Sequence, residues 1–357
     1  MGKPSLILAA LAADALPGIH FVRVEDVTNP DEDIVSQLLT TDDSQQVLLR
    51  TPKSAAAMAG LGLEVRALRV LKNVNLPFRV PALLGETSDS AIYKALAFDY
   101  VTGKALNLQK LRVEDPLLTA LGSTIARIHS IPANLVIDAG LPEYDASLKL
   151  RERVAEFDRA METGMINPAL LERWQTALLD VNLFRYQPTV IHGNLTADSI
   201  LTEGNEVIGI NNWSALAVDD PAIDMASLFA DCSPEVGNAL VLTYEGSIRA
   251  DRNLKQRANL YFELSYAKHL LWAVETGDES NIRLATDYLN SLAEDLANGL
   301  LPDLAPTELA SGGPEVVTPI SQATSFTGPI TVVSEELEVT EQIEVIDLAE
   351  EDSDPKN

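Results

Sequence analysis

Two short apolar runs with polar loops between them, in residues 190–226, constrain this chain more than any other feature. The first continues through V-I-H-G-N-L-T-A-D-S-I-L and the second through V-I-G-I-N-N-W-S-A-L-A-V-D-D-P-A-I-D-M-A. β-branched runs of this length are typical of short strands. Residues 190–209 are therefore predicted to hold two short strands and their loops, with His192 and Asn194 in the first loop.

The first hundred residues predict strands around a single helix. Pro17 and Gly18 form a helix-stop signal after an amphipathic first helix. Short alternating or β-branched runs then predict strands at 20–24, 33–39 and 46–50, a helix at 55–72, and strands near 82–85 and 91–99. The order β-β-β-α-β-β suits a small α+β lobe, although many α+β domains share it.

A second, mostly helical region follows a predicted hinge at residues 100–103, where Gly103 lets the chain turn. Apolar residues spaced for one helix face predict helices at 115–131, 148–163, 168–182, 235–249, 253–276 and 279–299.

Charge limits the partners of this chain. The net charge is -27, which argues against nonspecific nucleic-acid binding because phosphates would be repelled. A protein this acidic tolerates or attracts a small cationic ligand, although a need for solubility alone also explains the charge. The single cysteine, Cys232, allows no disulfide within the chain. No apolar run reaches the roughly 18 residues that span a bilayer, so no membrane is expected, and a cytoplasmic location is the default.

The last segment differs in composition from the rest. Residues 301–357 contain 13 acidic residues and one lysine, with no helical period, which predicts a disordered acidic tail. Two Val/Ile patches, at 330–333 and 343–346, could add a strand to a protein partner. A simply solvated tail is the favoured interpretation.

The order of motifs resembles the aminoglycoside and macrolide phosphotransferases, small-molecule kinases with a protein-kinase-like fold. That family shows H-G-D-L-H-P-G-N-I-L, then G-V-I-D-W and G-D-P-x-x-D, and this chain keeps the spacing from His192 to Asp224. Residues 76–81, L-P-F-R-V-P, and 126–132, A-R-I-H-S-I-P, resemble further macrolide kinase motifs. The resemblance covers about residues 5–300 and implies a two-lobe fold: a β-rich N-lobe (1–102), a helical C-lobe (103–300) and the tail (301–357).

The resemblance also indicates which chemical groups have changed. Asn194 stands at the position of the catalytic base, where an amide has no basic site near neutral pH. Ser199 and Asn212 stand at the two metal-ligand positions, although Mg²⁺ favours carboxylates. His192 is expected to brace the loop, and Asp198 is a possible substitute ligand.

The N-lobe suggests a parallel change. V-L-L-R at 47–50 resembles the strand that grips phosphate in this family, and Arg50 would pair with Glu64 on the next helix. The alternative interpretation is that Arg50 and Glu64 are two separate surface charges. Residues 24–45, which should contain the phosphate-covering loop, have no glycine. They also carry clustered acids, which would repel phosphate, among them Asp26, Asp31, Glu32, Asp33, Asp42 and Asp43.

Two functional hypotheses follow from the resemblance. The first is a pseudokinase with a binding or regulatory role, no required cofactor, and an unknown protein partner or small cationic ligand. The second is a divergent kinase that uses ATP and Mg²⁺, recruits the metal through Asp198 or Asp219, and phosphorylates a small-molecule hydroxyl.

Overall fold

The computed structural model describes residues 3–28, 33–88 and 94–307, with side chains from residue 9 onwards. The predicted strand at 91–99 is therefore described only from residue 94. Asp31, Glu32 and the tail beyond residue 307, with both Val/Ile patches, lie outside the described residues.

The N-terminal lobe contains an antiparallel sheet, as predicted. Its strands are β1 (Phe21–Asp26), β2 (Ile34–Thr41), β3 (Gln46–Pro52), β4 (Leu83–Glu86) and β5 (Leu96–Asp99), in the order β1-β2-β3-β5-β4. Consecutive hairpins reverse at opposite ends of the sheet. The β1–β2 connection and the Arg50 end of β3 therefore lie at one end, and the β2–β3 turn lies at the other.

Two helices cover the sheet because β3 and β5 alternate their side chains between its faces. On one face, Val47, Leu49, Ala95 and Ala97 pack with α1 (Lys3–Ala15), which ends before Pro17 as predicted. On the other face, Leu96 and Phe98 join a cluster that includes α2 (Ala55–Leu71). Ser54 begins α2 by accepting a hydrogen bond from the Ala57 N–H at 3.1 Å.

The C-terminal lobe is mostly helical, as predicted. Its helices are α3 (Pro116–His129), α4 (Ala133–Ile137), α5 (Ala146–Glu162), α6 (Pro168–Leu179), α7 (Ala222–Phe229), α8 (Pro234–Glu245), α9 (Leu254–Thr276) and α10 (Glu279–Ala297). The hydrophobic cluster of α2 continues through Leu121 of α3 to Trp213, so the two lobes share one core. Gly103, at the predicted hinge, leaves no room for a side chain, since a Cβ there would lie 2.8 Å from that of Leu201.

The strands of the C-lobe differ from the prediction. In place of two strands in residues 190–209, the structure has β7 (Thr189–Ile191), β8 (Ile200–Glu203) and β9 (Glu206–Ile210). Two more short strands complete the pairs: β6 (Lys104–Ala105) lies beside β8, and β10 (Ala217–Asp219) beside β7. Three-residue strands such as β7 and β10 are too short for an alternation pattern to predict. No helix in the described part of the chain is both long and apolar enough to cross a membrane.

Candidate functional site

The loop after β7 is built around a buried histidine. His192 is fully buried, its Nε2 lies 2.9 Å from the Asn211 carbonyl oxygen, and its ring packs 4.5 Å from that of Trp213. Burial lowers the pKa of His192 in spite of the neighbouring Asp224. The neutral ring is therefore a brace between two loops, the role that the resemblance implies for it.

Asp224 at the start of α7 fixes the same loop. Its two carboxylate oxygens accept the backbone N–H groups of His192 and Gly193, each at 2.8 Å, and His129 Nε2 lies 3.2 Å away. Burial alone would raise the pKa of Asp224, but the hydrogen bond and charge of His129 hold it below its usual value. Gly193 has a φ of 81°, and a Cβ there would collide with the Ala215 carbonyl oxygen, so only glycine fits.

Asn194, the residue predicted to stand at the position of the catalytic base, lies in the loop after β7. It is exposed and lines the large cavity of the C-lobe. Its amide oxygen can accept a hydrogen bond from a ligand hydroxyl but cannot take its proton near neutral pH.

Ser199 is turned away from that cavity. Its side chain is fully buried, and its hydroxyl donates to the Thr196 carbonyl oxygen at 2.7 Å within the same turn. Its carbonyl oxygen accepts the Asn211 N–H at 2.8 Å, which ties the two loops together. Asp198 beside it is exposed, and neither residue lines the cavity.

Asn212 occupies a left-handed backbone position before the short 3₁₀ helix at Trp213–Ala215, with a φ of 64°. Asparagine tolerates this conformation better than most residues. Asn194, Ser199 and Asn212 thus offer two amides and one engaged hydroxyl, a neutral set that does not fit Mg²⁺. Among the described residues, no group of three or more His, Cys, Asp or Glu side chains could hold a metal ion.

The N-lobe contains a largely buried ion pair between β3 and α2. Arg50 Nη1 on β3 lies 2.5 Å from Glu64 Oε2 on α2, and the two side chains are only 12% and 5% exposed. The interpretation of these residues as two surface charges is therefore wrong. Their role in holding a nucleotide stays a prediction.

The acids of the N-lobe do not form one cluster. Asp26 and Asp33 flank the β1–β2 connection, but Asp42 and Asp43 lie in the β2–β3 turn at the opposite end of the sheet. Asp43 accepts a hydrogen bond from Gln45 Nε2 at 2.9 Å, so it stabilises the turn in which it lies. The expectation that Asp42 and Asp43 would repel a bound phosphate is wrong, because they lie at the end of the sheet opposite Arg50, the predicted phosphate-gripping residue.

A cavity of about 670 Å³ lies beside Asn194. Strand β10 places Asp219 in its wall, where burial raises the pKa of that carboxyl group. The Asp219 carboxylate accepts the Asp220 N–H at 2.7 Å and lies 3.7 Å from Lys149 Nζ. The candidate metal-recruiting acid of the kinase hypothesis is therefore already next to a protein cation.

Helix α5 supplies charged cavity-lining residues that the sequence prediction missed. Lys149 and Arg153 both line the cavity, and Lys149 Nζ lies 3.0 Å from Glu152 and 3.5 Å from the ring centre of Tyr144. No motif marks these residues, because α5 is a charged helix far in sequence from the loops. Only the packing of α5 against α9 brings them to Asn194.

This lobe architecture is that of the protein-kinase-like fold. The sequence pattern of the phosphotransferase enzyme family matches residues 35–257, more than half of the chain. The chain belongs to that family. A search of curated proteins found no significant match.

Solved structures agree with this assignment. The chain is 26% identical to a macrolide 2'-phosphotransferase type I, with a TM-score of 0.69 over 81% of this chain and 98% of the other. It is 22% identical to macrolide 2'-phosphotransferase MphH from Brachybacterium faecium, with a TM-score of 0.67 over 80% and 98%. The GDP complex of wild-type aminoglycoside 2'-phosphotransferase-IIIa is 20% identical, with a TM-score of 0.68 over 83% and 100%. These likenesses bear out the protein-kinase-like fold.

Proposed function

We propose that this chain is a pseudokinase, a phosphotransferase fold that binds a ligand or partner without transferring phosphate. One observation carries the proposal. The loop is held by the buried Asp224, yet the positions that the resemblance assigns to the base and the two metal ligands carry no carboxylate.

The size of the expected loss supports this proposal. A missing general base typically costs about 10²- to 10⁴-fold in rate. Phosphoryl transfer also depends on metal ions that bridge the phosphates and neutralise developing charge. Ser199 is buried and engaged, and Asp219 already lies beside Lys149, so neither offers a ready replacement.

The alternative proposal is a divergent ATP-dependent kinase for a small-molecule hydroxyl. The buried Arg50–Glu64 pair favours it, because this pair orders the phosphate-gripping base in kinases. A relative at 20% identity, APH(2")-IIIa, has a solved structure in complex with GDP and kanamycin. This alternative needs ATP, Mg²⁺ and a rearranged metal site.

Transfer of labelled γ-phosphate from ATP separates the two proposals. The protein would be incubated with Mg²⁺ or Mn²⁺ and with kanamycin, gentamicin or a macrolide. We expect no more labelled product than with an Arg50→Met variant, which lacks the candidate phosphate-gripping group. Metal-dependent product that is lost in Arg50→Met would overturn the pseudokinase proposal.

The ligand is a separate question. The acidity of the chain as a whole predicts a small cationic ligand or a protein partner. The cavity, in contrast, is lined by as many basic as acidic side chains.

A further inference from the structure

The charges that line the cavity divide into a paired set and an unpaired set. The lining contains three bases, Lys149, Arg153 and Lys268, and three acids, Glu152, Glu156 and Asp219. Lys149 lies within ion-pair distance of both Glu152, at 3.0 Å, and Asp219, at 3.7 Å. Lys149 is therefore fully engaged by these two acids. Arg153, Lys268 and Glu156 take part in no ion pair within the described residues and remain to interact with a ligand.

Arg153 is a half-buried cation with an unused donor. Its guanidinium carbon lies 3.5 Å from the centre of the Tyr261 ring, and its Nε is buried with no hydrogen-bond partner in the described part of the chain. None of the ion pairs among those residues includes Arg153. A guanidinium stays charged in proteins and presents its N–H groups in the plane of the fork. Leaving such a donor unsatisfied costs free energy that a ligand acceptor can recover.

The platform beneath Arg153 is rigid. The Tyr261 hydroxyl donates to Asp220 Oδ2 at 2.7 Å, which fixes the ring under the guanidinium. The Asp220 carboxylate also accepts Arg257 Nε at 2.8 Å and Nη2 at 3.0 Å. Asp220 is therefore fully occupied and cannot turn to satisfy Arg153.

Lys268 provides a second cation on the same side of the cavity. It follows Tyr261 by seven residues on α9, two helical turns, so both side chains lie on one face. Lys268 is exposed and takes part in no ion pair within the described residues. Glu156 remains as one acid against these two bases.

The rest of the lining mixes apolar side chains with Asn194, Thr196 and three serines. Ile191, Ala217, Ile223, Ala226, Phe262 and Leu264 all contribute to the wall. A cavity of about 670 Å³ is within the size range of small-molecule sites. The apolar wall residues can contact the apolar part of a ligand. Arg153 and Lys268 can bind an anionic group at one end of it.

We propose that this cavity binds a small, largely apolar molecule with one anionic group, a carboxylate or a phosphate, that contacts Arg153 and Lys268. A carboxylate or phosphate can accept two parallel N–H bonds from a guanidinium. The proposal rests on the proposed function, since it takes the cavity of the pseudokinase to be a ligand site. The proposed ligand is anionic, whereas the net acidity of the chain predicts a cationic ligand.

Two fluorescent probes with the same ring system test the charge requirement. The anionic probe is 8-anilinonaphthalene-1-sulfonate, and N-phenyl-1-naphthylamine is its neutral counterpart. Hydrogen bonds to charged groups are worth enough to shift affinity by about 10-fold or more. We expect the full chain to bind the anionic probe at least that much more tightly, and Arg153→Met to remove this preference while leaving the affinity for the neutral probe unchanged.

The variants have matched controls. Arg151→Met removes an exposed arginine from the same helix and should leave both affinities unchanged. Lys268→Met, at an exposed position, should lower the affinity for the anionic probe alone. It provides a second test if Arg153→Met fails to fold. Competition with benzoate, phenyl phosphate and benzyltrimethylammonium then distinguishes a carboxylate, a phosphate and a cation on one ring.

Each outcome bears on one proposal. Equal or weaker binding of the anionic probe, displacement by the ammonium ion alone, or no effect of Arg153→Met and Lys268→Met would overturn the anionic-ligand inference only. If neither probe is bound and no competitor stabilises the protein, the cavity is not a ligand site. In that case the ligand-binding form of the proposed function fails as well.

Discussion

Replacing Asp224 with alanine is expected to lower the free energy of unfolding by about 3–5 kcal/mol, the cost typical of breaking a buried charged network. Asp224 is fully buried and accepts the backbone N–H groups of His192 and Gly193. Alanine would leave these two donors and the side chain of His129 without their acceptor. The loop that carries Asn194 would lose its anchor along with the stability.

Denaturant unfolding measures this loss, and Asp198→Ala is the matched control. Asp198 belongs to the same loop but is exposed, so its substitution should change the free energy of unfolding by less than about 0.5 kcal/mol. A loss below about 1 kcal/mol for Asp224→Ala would mean that a solvated loop, and not this carboxylate, sets the geometry of the site.

Arg257→Met is expected to cost a similar amount, about 3–5 kcal/mol. Arg257 is fully buried on α9 and bridges two carboxylates, with Nε 2.8 Å from Asp220 and Nη1 2.7 Å from Asp251. Burial alone would lower its pKa, but these two acids raise it above the usual value. Methionine fills much of the volume and leaves the Asp220 charge buried without its cation.

The comparison for Arg257→Met is Arg283→Met on α10. Arg283 is 71% exposed and lies 3.7 Å from Glu279, a surface pair of a kind that contributes roughly 0–1 kcal/mol. Thermal unfolding of both variants should therefore separate them clearly. Equal stabilities would show that the Asp220 network contributes little to the fold.

These two networks give both acids of the D-P-x-x-D motif a structural role. Asp220 accepts the Ala222 N–H at 2.9 Å at the start of α7 and also holds Arg257 and Tyr261. Asp224 holds the loop. Selection for a stable fold is sufficient to keep both residues, so the motif alone is no evidence of catalysis.

Much of the fold could be predicted from local patterns. The helix at 55–72 was predictable because its apolar spacing follows the helical period and Ser54 is a strong N-cap; the observed helix is Ala55–Leu71. The two-lobe fold was predicted from the ordered set of motifs, which is more specific than any single pattern. The motif also indicated the brace role of His192 and the partner of Arg50.

The rest depended on tertiary contacts. Ser199 points into its own turn because the Thr196 carbonyl oxygen is within reach, which no spacing predicts. Asp42 and Asp43 are close in sequence to the predicted phosphate-gripping residue yet lie at the opposite end of the sheet, since strand β3 separates them. The unpaired state of Arg153 results from α5, α9 and β10 meeting at one cavity.

The most direct test of the central claim is thermal unfolding of the full chain with ATP, with Mg²⁺, and with both together. A ligand at 100 times its dissociation constant adds about 2.7 kcal/mol to the folded state, a rise of several degrees in Tm. We predict that Mg²⁺ adds nothing to any effect of ATP, because positions 194, 199 and 212 offer the metal no charge. A rise in Tm that requires ATP and Mg²⁺ together would contradict this account and restore the kinase hypothesis.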